Sequence, residues 1–178
     1  RRISADLGRI DLAILNAGVW HPMKTSEFDV TRVLDSINVN YIGIVNALEP
    51  LIPDMVTAQK GHIALVGSVA GYRGLPMAAA YAPSKAAVIN LAEVLRLELA
   101  RRGIMVSLIN PGFVETPMTA VNTFPMPFIL KPDDAARRII RGLERGKFEI
   151  AFPWQLVVML KLMRVLPYKL FFRLAGRL

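Results

Sequence analysis

Short apolar runs alternate along the chain with longer stretches whose apolar residues recur at helical spacing. Asp11–Leu15, His62–Val66 and Ile104–Ile109 read as strands, with Lys147–Phe152 as a last one. Ser26–Val56, Tyr81–Arg102, Asp133–Arg145 and Trp154–Leu166 have the periodicity of helices. Ser26 and Asp29 form a capping signal ahead of the first helix. The second has Pro83 in its first turn, Arg101 and Arg102 in its last, and Gly103 as its stop. Phe113–Lys131 is a long Pro- and Met-containing connection, and connections of that length are usually functional or mobile.

Strands alternating with helices predict an α/β architecture, a parallel sheet with helices on both faces. Ligands in such sheets bind beyond the carboxyl ends of the strands. Polar residues stand at those ends: Asn16 after the first strand, Ser68 after the second and Asn110–Gly112 after the third. Three strand ends therefore converge on one crevice. No repeat, low-complexity tract or interdomain linker interrupts the pattern.

Composition narrows the function classes. The 178 residues are 53% hydrophobic, which argues for a packed domain and against disorder. The chain has no cysteine, so it forms neither disulfides nor thiolate metal sites. His21 and His62 have no partners at metal-ligand spacing and read as structural, so no metal site is expected. The net charge is +8, but the arginines are scattered over several helices without an aromatic-basic stacking run. Nucleic acid is therefore not an expected partner. Arg1–Asp11 lacks the apolar core of a signal peptide, and a cytoplasmic protein is expected.

Tyr81 and Lys85 are four residues apart at a helix start and share a face. A free tyrosine, with a pKa of roughly 10, is a poor base near neutrality. A neighbouring ammonium favours the phenolate, and the tyrosine can then exchange a proton with a substrate oxygen. Ser68, at the end of the preceding strand, could hold that same oxygen. Four tyrosines and seven lysines give roughly 0.16 such pairs by chance, so the spacing alone is weak. The neighbouring motifs, met in order, strengthen it.

Those motifs resemble the short-chain dehydrogenase/reductase family from Asp11 to about Phe152. Tyr81-Ala82-Pro83-Ser84-Lys85 matches its Tyr-x-x-x-Lys, and Ser68 in Gly67-Ser68-Val69-Ala70-Gly71 matches its upstream serine. Asn16-Ala17-Gly18 matches its Asn-Ala-Gly, and Asn40, three before Gly43, matches its helix asparagine. Asn110 to Thr116 matches its Pro-Gly segment.

The resemblance implies a Rossmann-like doubly wound sheet and an alcohol–carbonyl oxidoreductase that uses NAD or NADP. Tyr81 would be the general acid or base, with Ser68 orienting the substrate. Lys85 would lower the tyrosine pKa and hold the nicotinamide ribose, and Asn40 would support a water relay to Lys85. Asn16, Ala17 and Gly18 would line the adenosine side of the cofactor. Pro111, Gly112, Val114 and Thr116 would lie near the nicotinamide. The resemblance also implies pairing of the long helices around Asn40 and Leu91 between subunits, hence a homo-oligomer.

The family's opening strand and Thr-Gly-x-x-x-Gly-x-Gly turn are not found in these residues. The expectation is that the first βαβ units precede Arg1, that β-pairing is missing on one side of Asp11–Leu15, and that an apolar edge is left exposed. Two rivals remain open: an inactive binding or membrane-surface protein on the same fold, and a nucleotide-sugar epimerase or dehydratase.

The chain divides into a Rossmann-like portion, 1–152, and an apolar, basic extension, 153–178. The extension carries Lys161, Arg164, Lys169, Arg173 and Arg177. Its uncharged stretch is too short to cross a bilayer, and Pro153 and Pro167 break it. It is expected to pack on the domain or on a second subunit, with peripheral membrane contact as the alternative. Phe124, Met126 and Phe128 are candidates to cap an apolar pocket for a small lipophilic substrate.

Overall fold

The computed structural model describes residue 6 and residues 8–176. Four strands form one parallel sheet in chain order: β1 (Leu12–Leu15), β2 (Gly61–Val66), β3 (Ile104–Pro111) and β4 (Glu149–Phe152). Leu15 stands opposite Leu65, Val66 opposite Ile109 and Pro111 opposite Phe152, so the carboxyl ends form one rim.

The pleat sends alternate residues to opposite faces. Leu15, Ile63, Leu65, Ile104, Val106 and Leu108 face a core built from α2 (Gly43–Ala58), α3 (Tyr81–Leu99) and α6 (Trp154–Val165). Burial of a side chain such as Leu65, with no exposed surface, contributes about 2 kcal/mol. On the other face Ala64, Ile109, Ile150 and Phe152 pack against Ala135 and Leu143 of α5 (Pro132–Glu144). A Cβ at Gly142 of α5 would stand 2.6 Å from Ile150, which is how closely that helix lies on the sheet.

Leu12 and Ile14 point to this second face and remain 44% and 47% exposed. The expected apolar edge is therefore present at β1. The sheet is covered over β3 and β4 but bare over β1.

The helix expected over Ser26–Val56 is divided. Ser26 lies in a 3-10 turn, Thr25–Glu27. Asp29 is the N-cap of α1 (Val30–Ile37), accepting from the Thr31 amide at 2.8 Å. A π turn, Asn38–Ile42, separates α1 from α2. Such turns insert an extra residue into a helix and recur at functional sites. The helix expected to end at Leu166 stops at Val165, and after Pro167 a further helix, α7 (Tyr168–Ala175), begins. The long connection 113–131 contains a short helix, α4 (Pro117–Ala120). Its ends are joined where Leu130 donates to Phe113 O and Glu115 donates to Leu130 O.

Among the described residues, no helix is long and apolar enough to cross a membrane.

Candidate active site

The rim gathers the polar residues singled out by the sequence. Asn16 and Ala17 leave β1 exposed, while Gly18 turns inward. A Cβ on Gly18 would stand 3.3 Å from Asn40 Oδ1 and 3.5 Å from Lys85 Nζ, so its backbone lies against both. Asn40 is fully buried in the π turn. Its Oδ1 accepts from Val19 N at 2.7 Å, and its Nδ2 donates to Val19 O at 3.1 Å and Ser84 Oγ at 2.9 Å. Ser84 Oγ donates onward to Tyr81 O at 2.7 Å. Asn40 thus staples the end of β1 to the first turn of α3. These contacts occupy its amide, and the geometry is that of a clamp.

Ser68 follows β2 and caps a 3-10 turn, Val69–Gly71, accepting from Ala70 N at 3.1 Å. Its hydroxyl donates to Pro111 O at a long 3.5 Å, a weak contact that leaves it free to turn toward another acceptor. Gly71 lets this turn sit directly on α3, since a Cβ there would meet the Lys85 and Ala86 backbone at 2.8 and 2.9 Å. That close approach brings Ser68 to Tyr81 and Lys85.

Lys85 is 3% exposed. Its ammonium donates to Val66 O at 2.8 Å and stands 5.7 Å from the Tyr81 ring centroid. Burial disfavours its charged form and pulls its pKa from 10.5 down to about 8. Burial also raises the Tyr81 pKa, while the Ser68 hydroxyl acts against that rise. The lowering of the tyrosine by Lys85 expected from the sequence does not appear in this state, where the group acting against burial is Ser68. Desolvation works against both the phenolate and the ammonium.

Two residues of the site were not singled out in the sequence. Trp20 presents its edge to Tyr81, with ring centroids 5.0 Å apart and planes at 84°. Its Nε1 donates to Asn122 Oδ1 at 2.8 Å, tying the 113–131 connection to the tyrosine. A tryptophan two residues beyond Asn16-Ala17-Gly18 was the available signal.

Pro111 and Gly112 complete the rim. Gly112 N donates to Phe152 O at 2.7 Å, and a Cβ there would meet Leu156 at 2.8 Å. Val114 and Thr116 lie further along, Val114 bridging to Leu130 and Thr116 capping α4. Among the described residues no hydrogen bond joins these two to Ser68, Tyr81 or Lys85. A cleft of roughly 200 Å³ is lined by Pro22, Met77, Asn122 and Phe124. A wider one of roughly 420 Å³ is lined by Lys24, Leu75, Met77, Ala82 and Pro83. Phe124 is thus a lining residue, whereas Phe128 is half exposed on the surface. Met126 Sδ accepts from Asn122 Nδ2 at 3.3 Å.

A second polar cluster lies behind Ser68. Glu149 accepts from Tyr72 Oη at 2.5 Å, from Asn110 Nδ2 at 3.1 Å and from Lys161 Nζ of α6. Burial alone would raise the Glu149 pKa, but Lys161, Tyr72 and Asn110 together hold it below the ordinary value. The same burial and the same carboxylate push the Tyr72 phenol up.

His62 is buried against Ser107, 2.8 Å away, and Ser107 donates to Lys147 O. His21 pairs with Asp35 on the surface. Among the described residues, no group of three His, Asp or Glu could hold a metal.

Comparison with known proteins bears on the family and the fold. Residues 1–124 match the family model described as short chain dehydrogenase. An uncharacterized oxidoreductase of Myxococcus xanthus is 40% identical over 178 residues, which is 100% of this chain and 70% of that protein. The 3-oxoacyl-[acyl-carrier-protein] reductase FabG of Thermotoga maritima is 36% identical over 148 residues, covering 75% of this chain and 58% of that protein. The crystal structure of a short chain dehydrogenase from Burkholderia cenocepacia in complex with NADP superposes with a TM-score of 0.83 at 26% identity. That match covers 97% of this chain and 72% of the other. With the motifs in order, the rim assembled and two thirds of the chain matched by the family model, the chain belongs to the short-chain dehydrogenase family.

Proposed function

We propose that the intact protein is a NAD(P)-dependent oxidoreductase interconverting an alcohol and a carbonyl, with Tyr81 as general acid or base. The observation that carries this reading is the convergence of buried Ser68 and Lys85 with half-buried Tyr81 at one strand rim. An ammonium has three N–H donors, and Val66 O takes one. The remaining donors, next to a Gly18 whose missing Cβ leaves space beside them, fit a ribose bearing two hydroxyls.

Lys85 and the Asn16–Gly18 backbone would hold the cofactor, with Tyr81, Pro111, Gly112, Val114 and Thr116 as further contacts. The chemistry a bound nicotinamide would supply is hydride exchange with the substrate carbon. The protein supplies orientation and the proton. In reduction the Tyr81 hydroxyl gives its proton to the substrate oxygen, and the raised phenol pKa keeps that proton in place until substrate arrives. Ser68, weakly held by Pro111 O, turns its hydroxyl to the same oxygen. Asn40 acts by fixing the end of β1 against α3, and a water relay to Lys85 would pass beside it. Met77, Val121 and Phe124 give the smaller cleft an apolar lining suited to a lipophilic substrate, alongside polar Lys24, Glu27 and Thr123. Exposed Val45 of α2 and Leu97 of α3 favour pairing of these helices between subunits.

Tyr81→Phe in the intact protein tests the reading. Turnover is expected to fall on the order of 100- to 10,000-fold, with cofactor affinity nearly unchanged. Unchanged turnover would overturn the assignment of Tyr81 as the proton donor, and absence of turnover in the parent would leave a binding protein on the same fold.

A further inference from the structure

The helical pair α6–α7 turns one side into the domain and leaves the other bare. Leu156, Leu160, Met163 and Phe171 join the core. Packing on the domain, expected from the sequence, accounts for that side. Trp154, Val158, Leu162 and Val165 form a stripe at spacings of four, four and three, and are 68%, 48%, 61% and 77% exposed. On α7, Tyr168 and Phe172 stack with ring centroids 5.7 Å apart and are also exposed.

The charge carried by the two helices has one sign, and of their cations Lys161 is paired with Glu149 of β4. Arg164, Lys169 and Arg173 are exposed, and no Asp or Glu occurs from Ile150 to Leu178. Arg177 belongs to the same run but lies outside the described residues. The surface is also preformed. Arg73, on the connection after Ser68, donates to Arg164 O at 2.9 Å, with its guanidinium 4.8 and 4.3 Å from the Tyr168 and Phe171 ring centroids. That clamp fixes the joint between the helices, so a partner need not order it.

We propose that the α6–α7 pair docks on an anionic lipid surface, lying in the headgroup plane. Three observations select this occupant. The twelve residues of α6 span about 18 Å, too short to cross a bilayer but suited to lie along it. Tryptophan and tyrosine beside aliphatic residues match the amphipathic character of the interface. A second copy meeting this face about a two-fold axis would press Arg164, Lys169 and Arg173 against their own copies, while Glu149 is already engaged by Lys161. An anionic bilayer supplies the missing charge.

The test is co-sedimentation of the intact protein with vesicles of phosphatidylcholine alone or mixed with phosphatidylglycerol. Binding is expected on the order of tenfold or more tighter to the anionic vesicles, and to weaken as salt is raised. Arg164→Gln, Lys169→Gln and Arg173→Gln together should lower it on the order of 100-fold. Leu162→Ser with Val165→Ser should lower it about tenfold with oxidoreductase turnover unchanged, since both side chains are exposed and outside the site. Trp154 fluorescence should be quenched by brominated lipid in the bound protein.

No binding to either vesicle, or equal binding to both, overturns the proposal. Absence of vesicle binding with loss of self-association in the Leu162/Val165 variant would assign the face to a second subunit instead. The vesicle-binding and quenching readouts do not depend on turnover, so they stand apart from the catalytic reading.

Discussion

Two polar clusters flank Ser68, one buried and one half-buried, and they handle charge in opposite ways. On one side Lys85 is sunk beneath α3 with Val66 O as its acceptor, and burial drags its pKa to about 8. On the other, Glu149 is surrounded by three donors that together outweigh its burial. A buried charge left short of partners costs stability and is tolerated where a ligand will complete it. A buried charge with its partners in place is scaffold. On the proposed function Lys85 is the charge that the cofactor completes, and Glu149 belongs to what holds the rim around it.

The largest expected effect comes from removing the short-handed charge. Lys85→Met should lower turnover of the intact protein at least on the order of 100-fold and weaken cofactor binding. The same variant without cofactor should be more stable at neutral pH, by about 2 kcal/mol after the lost hydrogen bond to Val66 O is counted. Thermal unfolding with and without NADP reads both effects. A variant less stable than the parent in the absence of cofactor would mean that Lys85 is already satisfied, and the contrast between the clusters would collapse.

Removing the satisfied charge should do the reverse. Glu149→Ala removes the acceptor of the Tyr72 hydroxyl and leaves Asn110 Nδ2 with Tyr72 Oη alone, and should cost about 2 kcal/mol, a figure tempered by the partial exposure of Glu149. Turnover at a temperature well below unfolding should fall far less than in Lys85→Met. Tm and initial rates measured on the same preparation compare them. A loss of turnover equal to that of Lys85→Met, in a folded variant, would move Glu149 from scaffold to catalysis.

How much of this contrast could be read from the sequence depends on how local its causes are. The four strands, the α3 helix and the trio Ser68, Tyr81 and Lys85 follow from short-range patterning and fixed spacing. The break of the first long helix does not. Its π turn carries Asn40, whose partners Val19 and Ser84 are 21 and 44 residues away. Glu149 was invisible because Tyr72 and Asn110, 77 and 39 residues back, are what make it an interior carboxylate. Trp20 was hidden in the same way by Asn122, 102 residues ahead. Periodicity reports which face of an element is buried, whereas the partners of a polar group are set by topology.

Smaller, but sharper in sign, is the pH dependence. The unfolded chain holds the Lys85 proton up to pH 10.5, the folded chain only to about pH 8. Between those values the unfolded state binds more protons, so stability rises with pH as the penalty is relieved; below pH 8 the penalty is present in full. The advantage of Lys85→Met should therefore be largest below pH 8 and should shrink as pH approaches 10.5. Glu149, whose pKa is depressed on folding, gives stability that is complete above the ordinary glutamate value and is lost on acidification. Glu149→Gln keeps the shape of the side chain and should cost less than Glu149→Ala at neutral pH. Its unfolding midpoint in urea should also fall less steeply than the parent's between pH 5 and pH 3. If the Lys85→Met advantage were flat from pH 7 to pH 10, or the Glu149→Gln slope matched the parent's, neither cluster would carry the charge asymmetry that their hydrogen bonds describe.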